Sequence, residues 1–377
     1  MKPDYAGGSL VNLMASLIKS RGGASPYKQL RVLSQKELDK KHVVFILIDG
    51  LGYEYLKKQK KGFFHKHLRG KITSIFPSTT SACVTTIATG VASQQHGIVG
   101  WHTYYKELGA VCTPLRFMTR VGAPLPQRAP LFSCKSYINT IKTEKLVIFP
   151  EAIADSTYSK ATLAGIKRKP FKTFKQAADL IAAAAKSKKR SFVYAYWGDL
   201  DGYLHHYGTR AKQPAKHLEQ LSKGVEKLVR RLAGTDTVLI ITADHGFIDT
   251  IKGGLINLNR HPKLQACLTL PLSGEPRMAY AYVRVGKERE FKQYIKEHFK
   301  AKLSVVKSST YLKRGYFGLG KQHPRLQERI GDYILVPKPG YIVMDYLGNG
   351  KGGNYDLSNH GGMSKEELYV PLIVISP

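Results

Sequence analysis

Along this chain, continuous apolar runs alternate with amphipathic stretches. Residues 42–50 read HVVFILIDG, an unbroken apolar run closed by Asp-Gly. A run with no polar alternation fits a strand buried on both faces, with its carboxylate delivered at the C-terminal end. Residues 51 to about 68 read as helical, KITSIFP (71–77) as a second strand stopped by Pro77, and Thr79 to Ala88 as a helix. FKTFKQAADLIAAAAKSKK (171–189) predicts another helix, and RSFVYAYWGDLDG (190–202) a strand ending in two aspartates. QPAKHLEQLSKGVEKLVRRLA (213–233) predicts a long amphipathic helix, DTVLIITADHG (236–246) a buried strand and YVPLIVIS (369–376) a last strand. Strands alternating with helices predict an α/β fold with a mostly parallel central sheet covered on both faces.

Two stretches break the alternation. Residues 103–170 read as irregular, with several prolines. Residues 251–350 hold the strand-like MAYAYVRV (278–285) and YIVMDYL (341–347) around the helical EREFKQYIKEHF (288–299). This predicts a catalytic α/β domain from 1–250 and 351–377, with 251–350 inserted as a smaller α+β cap. Near the N-terminus, the apolar stretch from Leu10 to Ile18 is interrupted by Asn12 and Ser16. It reads as a short amphipathic helix rather than a signal peptide. No run approaches the roughly 20 apolar residues of a membrane-spanning helix.

Charge adds a different kind of information. Among 377 residues, 59 Lys and Arg face 27 Asp and Glu, a formal net charge of +32. Such a chain attracts polyanions, and nucleic acid is one reading of it. The basic clusters LKKQKKG (56–62), KRKPFKTFK (167–175) and KSKKR (186–190) are spread along the chain with no nucleic-acid-binding motif beside them. Cys83, Cys112, Cys134 and Cys267 show no CxxC spacing. That argues against a disulfide framework or a cysteine-held zinc, and fits reduced thiols in a cytoplasmic protein.

In open parallel sheets, ligands bind beyond the carboxyl ends of the strands, so the polar groups there matter most. Asp49 ends the first strand, Thr80 follows the second, Asp199 and Asp201 end the next, and Asp244 and His245 another. His360, in LSNHGG, precedes the last. A single aspartate in such a place is often only a helix cap; the recurrence at successive strand ends is what points to a site. Asp201 and His205, four residues apart, share one face of a helical turn in a chelating arrangement. Mixed oxygen and imidazole donors suit Zn²⁺, with Mn²⁺ the other fit. IFPSTTSACVTTIATG (75–90) sets Ser78, Thr79 and Thr80 in a row at a helix start. A hydroxyl is a weak nucleophile unless a metal lowers its pKa, and a helix N-terminus offers free N–H groups to a phosphoryl oxygen. Thr79 or Thr80 stands where both conditions meet; an ordinary N-cap reads the same.

Taken together, ILIDGLGYEYL, IFPSTTSACVTTIATGVASQQHGIVG, DGYLHHYG, TADHGF and NHGG resemble the alkaline phosphatase superfamily, in particular its type I phosphodiesterase/nucleotide pyrophosphatase branch. The motifs run in that family's order from about residue 42 to 376. The resemblance implies an alkaline-phosphatase-like fold and a binuclear metal site. One ion would be held by Asp49, Thr80, Asp244 and His245, the other by Asp201, His205 and His360. It also implies Thr80 as the attacking hydroxyl, with Thr79 its neighbouring alternative, and the Ser81 N–H as a donor to the phosphate. The implied reaction is hydrolysis of a small phosphodiester or nucleotide pyrophosphate through a phosphothreonine. A phosphomonoesterase or phosphonate hydrolase on the same scaffold is the nearest alternative, and a basic nucleic-acid-binding protein on a hydrolase fold the non-enzymatic one. Arg277, in GEPRMAY, is the candidate substrate-binding arginine.

Overall fold

The computed structural model describes residues 1–347 and 355–377. Its strands in chain order are β1 (His42–Ile48), β2 (Leu68–Thr73), β3 (Glu144–Pro150), β4 (Lys167–Phe171), β5 (Ser191–Trp197), β6 (Thr237–Thr242), β7 (Ser273–Glu275), β8 (Met278–Ala281), β9 (Leu303–Lys307), β10 (Tyr333–Pro337) and β11 (Tyr369–Ile375), with shorter pairings between them. The central sheet runs β2-β11-β6-β1-β5-β3-β4. Strands β6, β1, β5, β3 and β4 are mutually parallel, and β11 is antiparallel to both β2 and β6.

Every residue of β1 and of β6 is buried, as an unbroken apolar run dictates. Removing each Val, Leu, Ile or Phe from water contributes about 1.5–3 kcal/mol. The helices on the faces include α1 (Leu10–Ser20), α2 (Thr80–Thr89), α3 (Phe174–Ala185), α4 (Asp199–Tyr207) and α5 (Lys212–Arg231). Ile48 pairs with Trp197 and Leu47 with Thr242, so β1, β5 and β6 end side by side. That register brings the residues following these three strands to one edge of the sheet.

Several expectations change. The 103–170 stretch is not irregular: it supplies β3 and β4 to the central sheet. It also holds a small antiparallel sheet of Thr103–Tyr105, Ala110–Thr113 and Met118–Thr119. β4 reads KRKPF; its charges and Pro170 fit only an edge position, where the missing N–H costs no ladder bond. The helix expected over 51–68 is two pieces, Tyr53–Lys58 and Phe63–Lys66, and β2 ends at Thr73, short of Pro77. α1 is not amphipathic in its setting, since every residue from Leu10 to Ile18 is buried. Its two interrupting polar residues are satisfied there: the Asn12 amide donates to the Tyr5 and Lys28 carbonyls, and Ser16 Oγ accepts the Leu30 N–H.

β7, β8, β10 and β9 form a separate antiparallel sheet in that order, with α6 (Glu288–Phe299) and an apolar core of its own. YIVMDYL does not join it: Ile342–Met344 pairs in parallel with Leu255–Asn257. The segment after α2 is stitched to β7 through a backbone exchange between His102 and Gly274 (3.2 and 2.6 Å).

Candidate active site

Asp49, at the end of β1, is buried, and Gly50 behind it takes φ +75°. A Cβ at Gly50 would also meet the Phe247 ring at 2.6 Å, so only glycine turns the chain here. Asp244 follows β6 and Asp201 lies in the first turn of α4. Each carboxylate divides its work. Asp49 Oδ2 accepts from the Tyr196 hydroxyl, and Asp244 Oδ1 accepts the Gly50 and His245 N–H groups at 3.1 and 3.0 Å. Asp49 Oδ1, Asp244 Oδ2 and Asp201 Oδ1 are left buried, with no hydrogen-bond donor among the described residues.

These orphaned oxygens converge on histidines. His245 Nε2 lies 3.4 Å from Asp49 Oδ1, 3.4 Å from Asp244 Oδ2 and 4.0 Å from Asp201 Oδ1. His205 Nε2 and His360 Nε2 lie 3.6 and 4.0 Å from the same Asp201 oxygen. His205 donates through Nδ1 to the Ser358 carbonyl (3.0 Å), which leaves its Nε2 lone pair facing the cluster. The His245 and His360 rings stack at 3.7 Å. Two triads thus have ligand atoms within reach of a single ion: Asp49, Asp244 and His245, and Asp201, His245 and His360. His245 belongs to both, whereas the sequence reading gave it to one. Burial, then Asp244 and Asp201, drives the Asp49 carboxyl well above its ordinary range. Burial, then the other two imidazoles, drives His360 well below its own. Like charges crowded into a dry pocket with no donor fit a site built for cations.

Thr80 is the first residue of α2 and its Oγ1 lies 3.1 Å from His245 Nε2. The first ladder bond of α2 runs from the Cys83 N–H to the Thr79 carbonyl (2.9 Å), so the Thr80, Ser81 and Ala82 N–H groups precede the ladder. The Ser81 hydroxyl is buried. Cys83 reaches the Asp244 carbonyl at 3.3 Å, and burial pushes its thiol up. Thr79 is the N-cap and donates to Glu275.

Thr80, Asp201, His205 and His360 face a cleft of about 430 Å³ whose far wall is Trp101, His102, Arg116, Arg120 and β7 with Glu275. A smaller apolar recess of about 70 Å³ also reaches Thr80, between Val84, Leu115, Tyr158 and Tyr196. Glu275 accepts the Trp101 N–H at 2.6 Å, and burial pushes its carboxyl up to about 7. Arg277 is not at the cleft. It is 3% exposed, and its donors go to Glu367 and to the Pro337, Lys338 and Tyr341 carbonyls. This corrects the expectation that it binds substrate. Tyr196, Glu275, Trp101 and Arg116 were not singled out in the sequence. An aromatic three residues before a strand-end carboxylate, Asp199, was the one available signal, for Tyr196.

The sequence matches the family described as Type I phosphodiesterase / nucleotide pyrophosphatase over residues 43–363. No curated protein matches it. Murine ectonucleotide pyrophosphatase / phosphodiesterase 5 is similar in structure, with a TM-score of 0.70, 18% identity, and coverage of 89% of this chain and 88% of that one. The human counterpart gives 0.69 at 19% identity, covering 89% and 88%. Phosphonoacetate hydrolase from Sinorhizobium meliloti 1021 gives 0.62 at 16%, covering 88% and 89%. At such identities these structures speak for the alkaline-phosphatase-like α/β fold.

Proposed function

The chain belongs to the type I phosphodiesterase / nucleotide pyrophosphatase family and is a hydrolase; from that premise we propose that it cleaves phosphodiester or pyrophosphate bonds with two divalent cations and a phosphothreonine at Thr80. The observation that carries this reading is the set of three buried, donorless carboxylate oxygens facing His245, next to the Thr80 hydroxyl. Asp49, Thr80, Asp244 and His245 would hold one ion; Asp201, His205 and His360 would hold the other. The mixed oxygen and imidazole donors favour Zn²⁺, with Mn²⁺ the second choice. When bound, such a pair lowers the pKa of a hydroxyl and stabilises the attacking and leaving oxygens. Two cations bring +4 against −3 from the three aspartates, so the site is near neutrality before Thr80 ionises.

The chain's own groups do the rest. Thr80 Oγ1 forms the bond to phosphorus as the ester or anhydride oxygen departs with its electron pair. The N–H groups opening α2, that of Ser81 among them, receive a phosphoryl oxygen. Tyr196 and the Gly50 and His245 amides hold the carboxylates in place. Water then cleaves the phosphothreonine and regenerates Thr80. Residues 251–350 act as the cap that bounds the cleft, in keeping with β7 in its wall.

A nucleotide substrate is supported by the solved complex of an inactive murine ectonucleotide pyrophosphatase / phosphodiesterase 5 with AMP. A phosphomonoester or phosphonate is the second reading, favoured by an arginine in the cleft wall with no ion-pair partner among the described residues, Arg116. All four cysteines are unpaired, which supports a reducing compartment, and no described helix is long and apolar enough to cross a membrane.

The test is hydrolysis of bis-p-nitrophenyl phosphate beside p-nitrophenyl phosphate, with and without Zn²⁺ or Mn²⁺. Metal-dependent turnover with the diester faster is expected, and acid quenching should trap phosphate on the peptide containing Thr80. A Thr80→Ala protein with full activity would sink the mechanism.

A further inference from the structure

Arg116 ends a 3₁₀ turn, Pro114–Arg116, whose next residue, Phe117, is the only non-glycine at positive φ (+54°) among the described residues. Such a conformation costs a bulky side chain on the order of 1 kcal/mol, so something must hold it. Phe117 is buried in a small apolar cluster with Tyr105 and Leu131. Its N–H donates to the Pro114 carbonyl (3.2 Å), and its carbonyl accepts the Leu125 N–H (3.0 Å). The turn divides two spaces that both reach Thr80: Leu115 lines the apolar recess and Arg116 the polar cleft.

Within the cleft wall the Arg116 guanidinium lies over the Trp101 ring, 5.4 Å from its centroid. Trp101 is itself tethered by its N–H to Glu275. The other arginine lining the cleft is spoken for: Arg120 pairs with Asp345 at 2.6 Å. Away from the cleft, Arg277 pairs with Glu367 at 3.0 Å and Arg329 with Glu107 at 3.1 Å. Arg116 has no such partner among the described residues, and it is an exposed residue of the cleft lining. His102 beside it is pushed down to about 3, by burial first and then by Arg120 and Arg116, so it is neutral at physiological pH. The wall therefore presents one uncompensated, aromatic-backed fork of donors, a shape suited to a two-oxygen face of a phosphate or carboxylate.

We propose that Arg116 is a specificity-determining residue that binds a second anionic group of the substrate, a further phosphate or a carboxylate, beyond the phosphorus attacked by Thr80. This rests on the hydrolase reading of the site and narrows it to substrates carrying two separated anions. The uncharged arm of a simple aryl diester gains nothing from this contact.

The test compares ATP, phosphonoacetate and bis-p-nitrophenyl phosphate in the metal-loaded enzyme and its Arg116→Gln and Arg116→Lys variants. In Arg116→Gln the kcat/KM ratio of a doubly anionic substrate to the aryl diester should fall about 10- to 100-fold, chiefly through KM. Arg116→Lys, a point charge without the fork, should recover part of it. The larger fall, with ATP or with phosphonoacetate, identifies the phosphate or the carboxylate as the group bound. An unchanged ratio, or equal losses on all substrates, overturns the proposal. Should the wild type turn over none of the three with Zn²⁺ or Mn²⁺, the hydrolase reading fails, and calorimetric binding of inorganic pyrophosphate still decides the role of Arg116. Binding at least about tenfold weaker in Arg116→Gln supports an anion site; equal binding refutes it.

Discussion

Arg277 and Glu367, 90 residues apart in sequence, form a buried two-pronged ion pair, with Nε on Oε1 at 3.0 Å and Nη2 on Oε2 at 3.1 Å. Glu367 also accepts the Gly362 N–H at 2.9 Å. The pair therefore fastens the β7–β8 turn to the loop that carries His360. Glu367 sits below its ordinary carboxyl range because Arg277 and the neighbouring donors outweigh the burial that opposes them.

Removing one partner leaves the other charged in a dry pocket. Arg277→Met should cost about 3–5 kcal/mol of unfolding free energy in urea, and Arg277→Met with Glu367→Met should recover most of it. A change in KM with no change in stability would return Arg277 to the role of a substrate contact.

The carboxylate cluster predicts a crossover. Without metal, Asp49, Asp201 and Asp244 repel one another, so Asp49→Asn should melt above the wild type after chelation. With Zn²⁺ at about 100 times its dissociation constant, the wild type gains about 2.7 kcal/mol and the order should reverse. Parallel thermal melts with EDTA and with Zn²⁺ read this directly. A variant that gains as much from Zn²⁺ as the wild type would remove Asp49 from the ligand set.

Gly246 follows the Asp244–His245 pair where backbones nearly touch. A Cβ there would lie 2.1 Å from the Glu366 carbonyl oxygen and 2.8 Å from the Gly52 Cα. Both neighbours are backbone and cannot swing away. Gly246→Ala should destabilise the fold by about 1–3 kcal/mol and weaken Zn²⁺ binding, whereas Gly202→Ala, with nothing within 4 Å of its Cβ, should leave stability nearly as it was. Chemical denaturation with and without Zn²⁺ separates the two effects.

His96 is fully buried between Thr86 Oγ1 (3.0 Å) and the Ile98 N–H (3.1 Å), and is pushed down to about 3, by burial first and then by His323 and Arg329. The unfolded chain binds a proton at His96 below about 6.5, and the folded chain refuses it until about 3. Its stability contribution is therefore complete above pH 6.5 and lost as the pH falls. Between pH 7.5 and 5.0 the wild type should lose about 2 kcal/mol more than His96→Gln, as read from urea midpoints at the two pH values. Equal losses would show that His96 titrates normally.

That the strand-end carboxylates and histidines gather in one cluster was legible because the signal repeats. Asp49, Asp201 and Asp244 each close an apolar run, and a parallel sheet must set the ends of neighbouring strands together. The cleft wall was not legible. Trp101, Arg116 and Glu275 come from two segments with no shared pattern, brought together by the pairing of His102 with Gly274 and by the Trp101 N–H on Glu275. β4 was hidden for the opposite reason: a sheet edge tolerates charges and a proline that an interior strand does not. Arg277 misled because an arginine's role is set by its partner, and Glu367 lay far along the sequence.

β11, among the last residues of the chain, does not add to the sheet's edge. It inserts between β2 and β6. A nascent chain made only as far as β10 therefore has β2 without its sheet partner and β6 with one side open, the second of them an otherwise wholly buried, largely apolar strand. Such edges recruit other chains. The interval between synthesis of β6 and arrival of β11 leaves that edge open, and a truncation that removes β11 is expected to favour association of chains through it.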